Sequence, residues 1–329
     1  MEYRRLGKSG LQVSALSLGS WLTFGNQIPD DVADELMSIA YEKGINFFDN
    51  AEGYAGGKSE EVMGRILKSK GWDRESYIVS SKVFFGAEAK GPNRTGLSRK
   101  HVIEACNAAL RRFQLDYLDL YFCHRPDINT PIEETVWAMN TLLQQGKILY
   151  WGTSEWTAAE IMEAIRVARD YHLIGPTMEQ PQYNMLERTK IEKDYLLLFR
   201  EHGLGTTVWS PLHSGVLSGK YNDSDPGDTR LHMEGLDWLK NRTLAQEKLE
   251  AARKVKEIAD ELGVSMPRLA VAWCLRNPNV STVILGASKP YQLLENLTAL
   301  DVVPLLTEDI MNRLDGVLKN KPFIPTYQP

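Results

Sequence analysis

Four side chains of complementary chemistry stand at, or just beyond, the ends of short apolar runs. Asp49 ends the run 46–49 and is followed by Tyr54, Lys82 ends 77–82, and His124 ends 118–124. A phenol titrates near about 10, too high for ready proton donation at neutral pH. An adjacent ammonium lowers that value, and a carboxylate can hold the ammonium in place. Tyr54 beside a Lys82 paired with Asp49 would therefore make a poised general acid. His124 could turn a carbonyl oxygen toward that phenol. Taken singly, each residue has an ordinary reading: Asp49 as a helix cap, Lys82 as a rim lysine, His124 as a packed histidine. Their joint placement on consecutive runs is what favours chemistry.

Such a set converges only if the runs are neighbouring strands. Candidate strands cover 15–18, 46–49, 77–82, 118–124, 148–153, 177–180, 206–210 and 282–286. Amphipathic helical segments lie between them, including 31–42, 60–68, 100–113, 132–144, 158–171 and 190–201. Ser59, Ser98, Thr130-Pro131 and Thr157 with Glu160 supply helix-start signals. Gly44, Gly146 and Gly203 follow three of the helices, where a positive φ is often needed. Strand–helix alternation means a parallel sheet. Eight strands at near-regular spacing predict an α/β fold of one domain over residues 1–329, a single (β/α)8 TIM barrel. No GxGxxG turn speaks for an open dinucleotide-binding sheet. Period-two alternation then brings Asp49, Lys82 and His124 to one mouth of the barrel. Segments 3–6 and 11–14 flank Gly7-Lys8-Ser9-Gly10 and predict an N-terminal β-hairpin that plugs the barrel floor. After the seventh strand comes a long polar loop, 213–241, and then two helices, the first near 244–262.

Composition narrows the partners. Thirty-eight Lys and Arg against 43 Asp and Glu give a net charge of −5. No lysine-rich run invites nucleic acid or an anionic membrane. The uncharged stretch 202–219 is broken by Gly, Ser, Thr and Pro, so no membrane insertion is expected. The first residues lack a signal peptide's apolar middle, and Cys106, Cys123 and Cys274 form no CxxC pair. A cytoplasmic protein is expected. No metal site is expected either, because the six histidines show no paired ligand spacing. Gly53 to Ser59 is one residue short of a phosphate-binding GxxxxGKS loop.

For a substrate pocket, Trp21, Phe84, Phe85 and Trp156 follow or end strands and could form aromatic walls, or simply pack at the rim. Arg125 could recognise an anionic substrate or form a structural salt bridge with the nearby Asp127.

The ordered motifs resemble the aldo-keto reductases. The resemblance rests on Gly44-Ile-Asn-Phe-Phe-Asp49-Asn-Ala-Glu-Gly-Tyr54, Ser81-Lys82, His124-Arg-Pro-Asp127, Gly152-Thr-Ser154, Gln180-Pro-Gln-Tyr-Asn184 and Trp209-Ser-Pro-Leu212. Gly19-Ser-Trp21, Arg125-Pro-Asp-Ile-Asn-Thr-Pro131, Ser218-Gly-Lys220-Tyr221 and Gln292-Leu-Leu-Glu295-Asn296 are similar to the branch of voltage-gated potassium-channel β-subunits and their bacterial relatives.

The resemblance implies a catalytic tetrad of Asp49, Tyr54, Lys82 and His124, and reduction of small aldehydes or ketones by NADPH. It implies that Tyr183 stacks on the nicotinamide while Ser154 and Gln180 hold its carboxamide. Ser210, Leu212, Ser214 and Gly215 would line the pyrophosphate, and the long loop would cover the cofactor through Lys220 and Arg230. Gly286, Ser288, Gln292, Glu295 and Asn296 would surround the adenosine end. Ser20, Trp21, Asp49, Trp209 and Pro211 complete the implied cofactor set. Gln292 replaces an arginine of many members, so NADH is not excluded. Glu155 replaces a common asparagine, losing an amide donor and adding negative charge. The alternative implied role is a slow-turnover, nicotinamide-sensing regulatory subunit; retention of His124 favours the enzyme. Relatives in this branch form rings of four or pairs of rings, implying a homo-oligomer, tetramer or octamer.

Overall fold

The computed structural model describes residues 1–87, 91–222, 227, 231, 240 and 243–324. The chain opens with an antiparallel hairpin, β1 (Tyr3–Arg5) against β2 (Gln12–Ser14). Eight parallel strands follow: β3 (Leu16–Gly19), β4 (Phe47–Asp49), β5 (Ile78–Val83), β6 (Leu118–Cys123), β7 (Ile148–Ser154), β8 (Met178–Gln180), β9 (Gly205–Val208) and β10 (Thr282–Leu285). They close into a barrel in chain order, and β10 completes the ring by pairing with β3. This is the (β/α)8 barrel with an N-terminal hairpin expected from the strand rhythm.

Each parallel step needs a crossover. Helices Asp30–Glu42, Lys58–Lys70, Arg99–Phe113, Ile132–Gln144 and Ala158–Asp170 supply the first five. Local signals fix several of their starts. Ser98 accepts the His101 N–H, and Thr157 and Glu160 form a reciprocal capping box; such caps contribute about 1 kcal/mol each. Two expected caps are used otherwise. The helix after β4 starts at Lys58, leaving Ser59 buried within it, and the Thr130 hydroxyl donates to Asp127. The sixth crossover also departs from expectation, since 190–201 forms two wide helical turns, Lys190–Asp194 and Leu198–His202, rather than one regular helix. Gly44, Gly146 and Gly203 all have positive φ, as their places after helices suggested.

Alternation splits each strand between two environments. Outward residues such as Phe48, Val79, Tyr121 and Trp151 pack beneath the helices. Inward Phe47, Ile78, Leu120, Phe122 and Met178 form a separate apolar layer inside the barrel, completed by Leu6 and Val13 of the hairpin. Full burial of such side chains contributes about 1.5–3 kcal/mol each. The hairpin thus closes the floor, and the opposite mouth is left for polar groups.

Candidate active site

The next inward positions beyond that apolar layer are polar: Asp49 on β4, Ser80 and Lys82 on β5, Gln180 on β8 and Thr207 on β9. Lys82 Nζ lies 2.7 Å from Asp49 Oδ2, 2.7 Å from the Asn50 carbonyl and 3.4 Å from the Tyr54 hydroxyl. An ammonium has three protons, so all three are directed at named acceptors. Tyr54 Oη accepts one of them, which leaves the tyrosine's own proton to point elsewhere. Asp49 Oδ1 accepts from Ser80 Oγ at 2.7 Å and Gln180 Nε2 at 3.0 Å. The carboxylate therefore ties three strands to one buried ion pair.

Electrostatics follows from burial. Burial pushes the Tyr54 pKa well above its ordinary value and Asp49 adds to the rise, against a smaller lowering by Arg125. This corrects the expectation that Lys82 would bring the phenol down. Burial and the charge of Asp49 together decide the sign. Tyr54 is a protonated donor at neutral pH. Burial lowers the Lys82 pKa, with Asp49 acting in the opposite direction. Burial, followed by the charges of Lys82 and Arg125, holds His124 well below the usual imidazole range, so it is neutral. Its ring stands 5.8 Å from the Tyr54 ring and 5.0 Å from that of Phe85. Among the described residues, His124 Nδ1 is buried with no hydrogen-bond partner, while the residue itself lines the cleft described next.

These groups open into a cleft of about 1120 Å³. Trp21, Phe85 and Arg125 line it beside Asp49, Tyr54 and His124. Ser154, Gln180 and Trp209 line it at or just past the ends of β7–β9, followed by Ser210, Pro211, Leu212, Ser214, Gly215 and Lys220. Gly286, Ser288, Gln292, Glu295 and Asn296, after β10, complete the wall. Ser210, His213 and Ser214 all have positive φ, an uncommon run that clusters at ligand sites. Gly215, at φ +98°, lies against Lys220; a Cβ there would come within 2.5 Å of Lys220 Cε.

Four expected lining residues are placed elsewhere. Tyr183 is only 2% exposed; its hydroxyl donates to Glu192 at 2.8 Å and its ring stands 5.0 Å from that of Trp273. Those contacts turn it into the helical layer, and Trp209 presents the aromatic surface in the cleft instead. Trp156 is 1% exposed and packs within the core, and Phe84 packs against the same core. Ser20 is buried and donates to the Asp49 carbonyl at 3.0 Å, bracing β3 to β4. Arg230 lies outside the described residues. Among the described residues no group of three or more His, Cys, Asp or Glu could hold a metal, and no helix is long and apolar enough to cross a membrane.

Other cleft residues escaped the motifs. Gln27 reaches the cleft from a kinked turn, Thr23–Gln27, that carries no sequence signature. Glu155 is not the bare charge its replacement of asparagine suggested. Its carboxylate accepts from Trp209 Nε1 at 2.9 Å, the Gln182 backbone N–H at 2.6 Å and Lys190 Nζ at 2.7 Å. Burial would raise its pKa, but Lys190 and these donors outweigh burial and hold it below the usual carboxylate range.

The aldo/keto reductase family model matches residues 15–319. A protein of Oryza sativa subsp. japonica named "Probable voltage-gated potassium channel subunit beta" is 50% identical over 323 residues, covering 98% of each chain. A protein of the same name from Arabidopsis thaliana is 49% identical over 326 residues, covering 99% of each. Both likenesses run through the strands and loops that build the cleft, and on them the chain belongs to the aldo/keto reductase family.

Proposed function

We propose that this chain is a cytoplasmic, NADPH-dependent reductase of aldehydes and ketones. The carrying observation is the use of all three Lys82 protons, one by the Tyr54 oxygen. The phenolic proton is then directed toward the cleft, where a substrate carbonyl oxygen would receive it. Neutral His124, which lines the same cleft with its ring 5.8 Å from that of Tyr54, orients that oxygen beside Tyr54.

The residues present fit a nicotinamide dinucleotide. The cleft exceeds the roughly 300–1,000 Å³ of ordinary small-molecule pockets, leaving room for dinucleotide and substrate together. Gln180 Nε2 is committed to Asp49 and Thr207, so its carbonyl oxygen is left to accept a carboxamide N–H. Trp209 supplies a flat wall for the nicotinamide, and the left-handed run ending at Gly215 brings backbone toward the pyrophosphate. Ser288 and Lys289, with Gln292, serve the adenosine phosphate. The reduced cofactor, when bound, supplies the hydride to the carbonyl carbon.

A second reading is a redox-sensing regulatory subunit, favoured by the names of the plant relatives. One assay separates the two: absorbance of reduced nicotinamide after mixing protein, NADPH and an aromatic aldehyde. Steady loss over many turnovers supports the reductase. Loss that stops at one cofactor per chain supports the sensor and overturns the reductase.

A further inference from the structure

Arg125 stands beside the reacting groups, and no carboxylate among the described residues pairs with it. It directly follows His124, lines the same cleft as Tyr54, and its Nη1 donates to the His124 carbonyl at 2.5 Å. Its Cζ lies 5.7 Å from the centroid of Phe85, a ring 51% exposed at the cleft. The expected structural partner, Asp127, is used otherwise. Asp127 Oδ2 accepts from the Leu97 N–H and the Thr130 hydroxyl, and its Oδ1 accepts from the Asn129 N–H. Among the described residues, Arg125 forms no ion pair.

The other charged groups described beside the reacting groups are paired. Asp49 is paired with Lys82 and Glu155 with Lys190, and Arg125 is the cation beside Tyr54 that has no ion-pair partner among the described residues. Burial dominates the shifts of Tyr54, Lys82 and His124, and the Arg125 charge acts downward on all three. Its field therefore reaches the place where a carbonyl would react. An arginine in a partly desolvated site is a costly group to leave without an anion, and its planar fork matches a carboxylate.

We infer that Arg125 selects carbonyl substrates that also carry a carboxylate, held across a short apolar spacer against Phe85 and Trp21. This rests on the reductase reading of the same cleft. In the reaction, the carbonyl carbon takes a hydride from the reduced nicotinamide and the oxygen takes a proton from Tyr54. The aldehyde becomes a primary alcohol, the nicotinamide is oxidised, and the carboxylate is unchanged.

The test compares 4-carboxybenzaldehyde, benzaldehyde and 4-(trimethylammonio)benzaldehyde in wild type, Arg125→Met and Arg125→Lys. Wild type should prefer the anion over the cation. The kcat/KM ratio of 4-carboxybenzaldehyde to benzaldehyde should fall at least about tenfold in Arg125→Met, mainly through KM, with partial recovery in Arg125→Lys. A ratio unchanged within about twofold overturns the inference while leaving the reductase intact. A binding readout covers failure of the reductase reading. Calorimetric affinity for 4-(hydroxymethyl)benzoate against benzyl alcohol should show the same Arg125-dependent preference. If that preference appears while no aldehyde turns over, Arg125 keeps its role and the reductase falls. If it is absent, the role of Arg125 falls.

Discussion

The carboxylate of Glu155 accepts the indole N–H of Trp209 at 2.9 Å. Glu155 stands just past the residue that ends β7, and Trp209 just past β9, so the bond spans the β8 end of the barrel mouth. Lys190 completes the arrangement by pairing with the other carboxylate oxygen. The orientation of the cleft's aromatic wall is thereby set by a residue that does not itself line the cleft.

Glu155→Leu should loosen Trp209 and leave Lys190 without its partner. Losing a charge-assisted hydrogen bond costs about 1.5–3 kcal/mol, and NADPH affinity should fall by about tenfold or more. Quenching of tryptophan fluorescence on NADPH titration reads this directly; an unchanged titration curve refutes the positioning role. Because the Glu155 pKa is depressed in the fold, its stabilising contribution is present above the unfolded carboxyl pKa. That contribution is lost as pH falls through the folded value.

Tyr54→Phe removes the proposed proton donor and little else. Turnover should drop by about 10²–10⁴-fold, the usual contribution of a general acid, with NADPH affinity within a few-fold of wild type. Steady-state assays and fluorescence titration on one preparation decide it. Turnover near the wild-type rate would remove Tyr54 from the mechanism.

Lys82→Met leaves Asp49 as a buried charge without its counter-ion. Breaking a buried pair in this way costs about 3–5 kcal/mol, visible as a shift of the urea midpoint. Adding Asp49→Asn should recover part of that loss, because two neutral groups replace one stranded ion. Strict additivity of the two single changes would show that the pair is not coupled.

Glu179, behind the site on β8, accepts from the Thr153 hydroxyl, and burial pushes its pKa up to about 8. A raised folded pKa stabilises most below the unfolded carboxyl value, and the benefit is lost as pH rises through about 8. Thermal melts should show wild-type stability declining across that window, by up to about 1.4 kcal/mol per pH unit. Glu179→Gln should flatten the profile. Parallel profiles for the two proteins would count against a buried neutral Glu179.

Much of this architecture was legible in the chain because barrels repeat. Eight runs with period-two alternation, separated by amphipathic segments, leave few ways to bury their apolar faces. The same alternation brings Asp49, Lys82 and His124 to one mouth. What escaped were choices made by tertiary contacts. The direction of Tyr183 depends on Glu192 and Trp273, and the role of Glu155 depends on a tryptophan far along the chain. The upward shift of Tyr54 was hidden for a related reason. Sequence names a residue's charged neighbours but not its depth, and here burial is the largest cause, with Asp49 adding to it. Gln27 had no periodic pattern to announce it, since it sits in a kinked turn.

Barrel closure joins distant parts of the chain. Thr282 on β10 bonds to Ser17 on β3 across 265 positions, and Arg4 beside the floor reaches the Val280 carbonyl across 276. During synthesis, β3 therefore waits with one edge unsatisfied until β10, 265 positions on, has been made. Contacts this remote carry a large loop-closure cost and slow folding. A nascent chain halted before β10 would expose two open strand edges, β3 and β9, to neighbouring chains. The last strand is thus the step that commits the molecule to folding rather than to association with other incomplete copies.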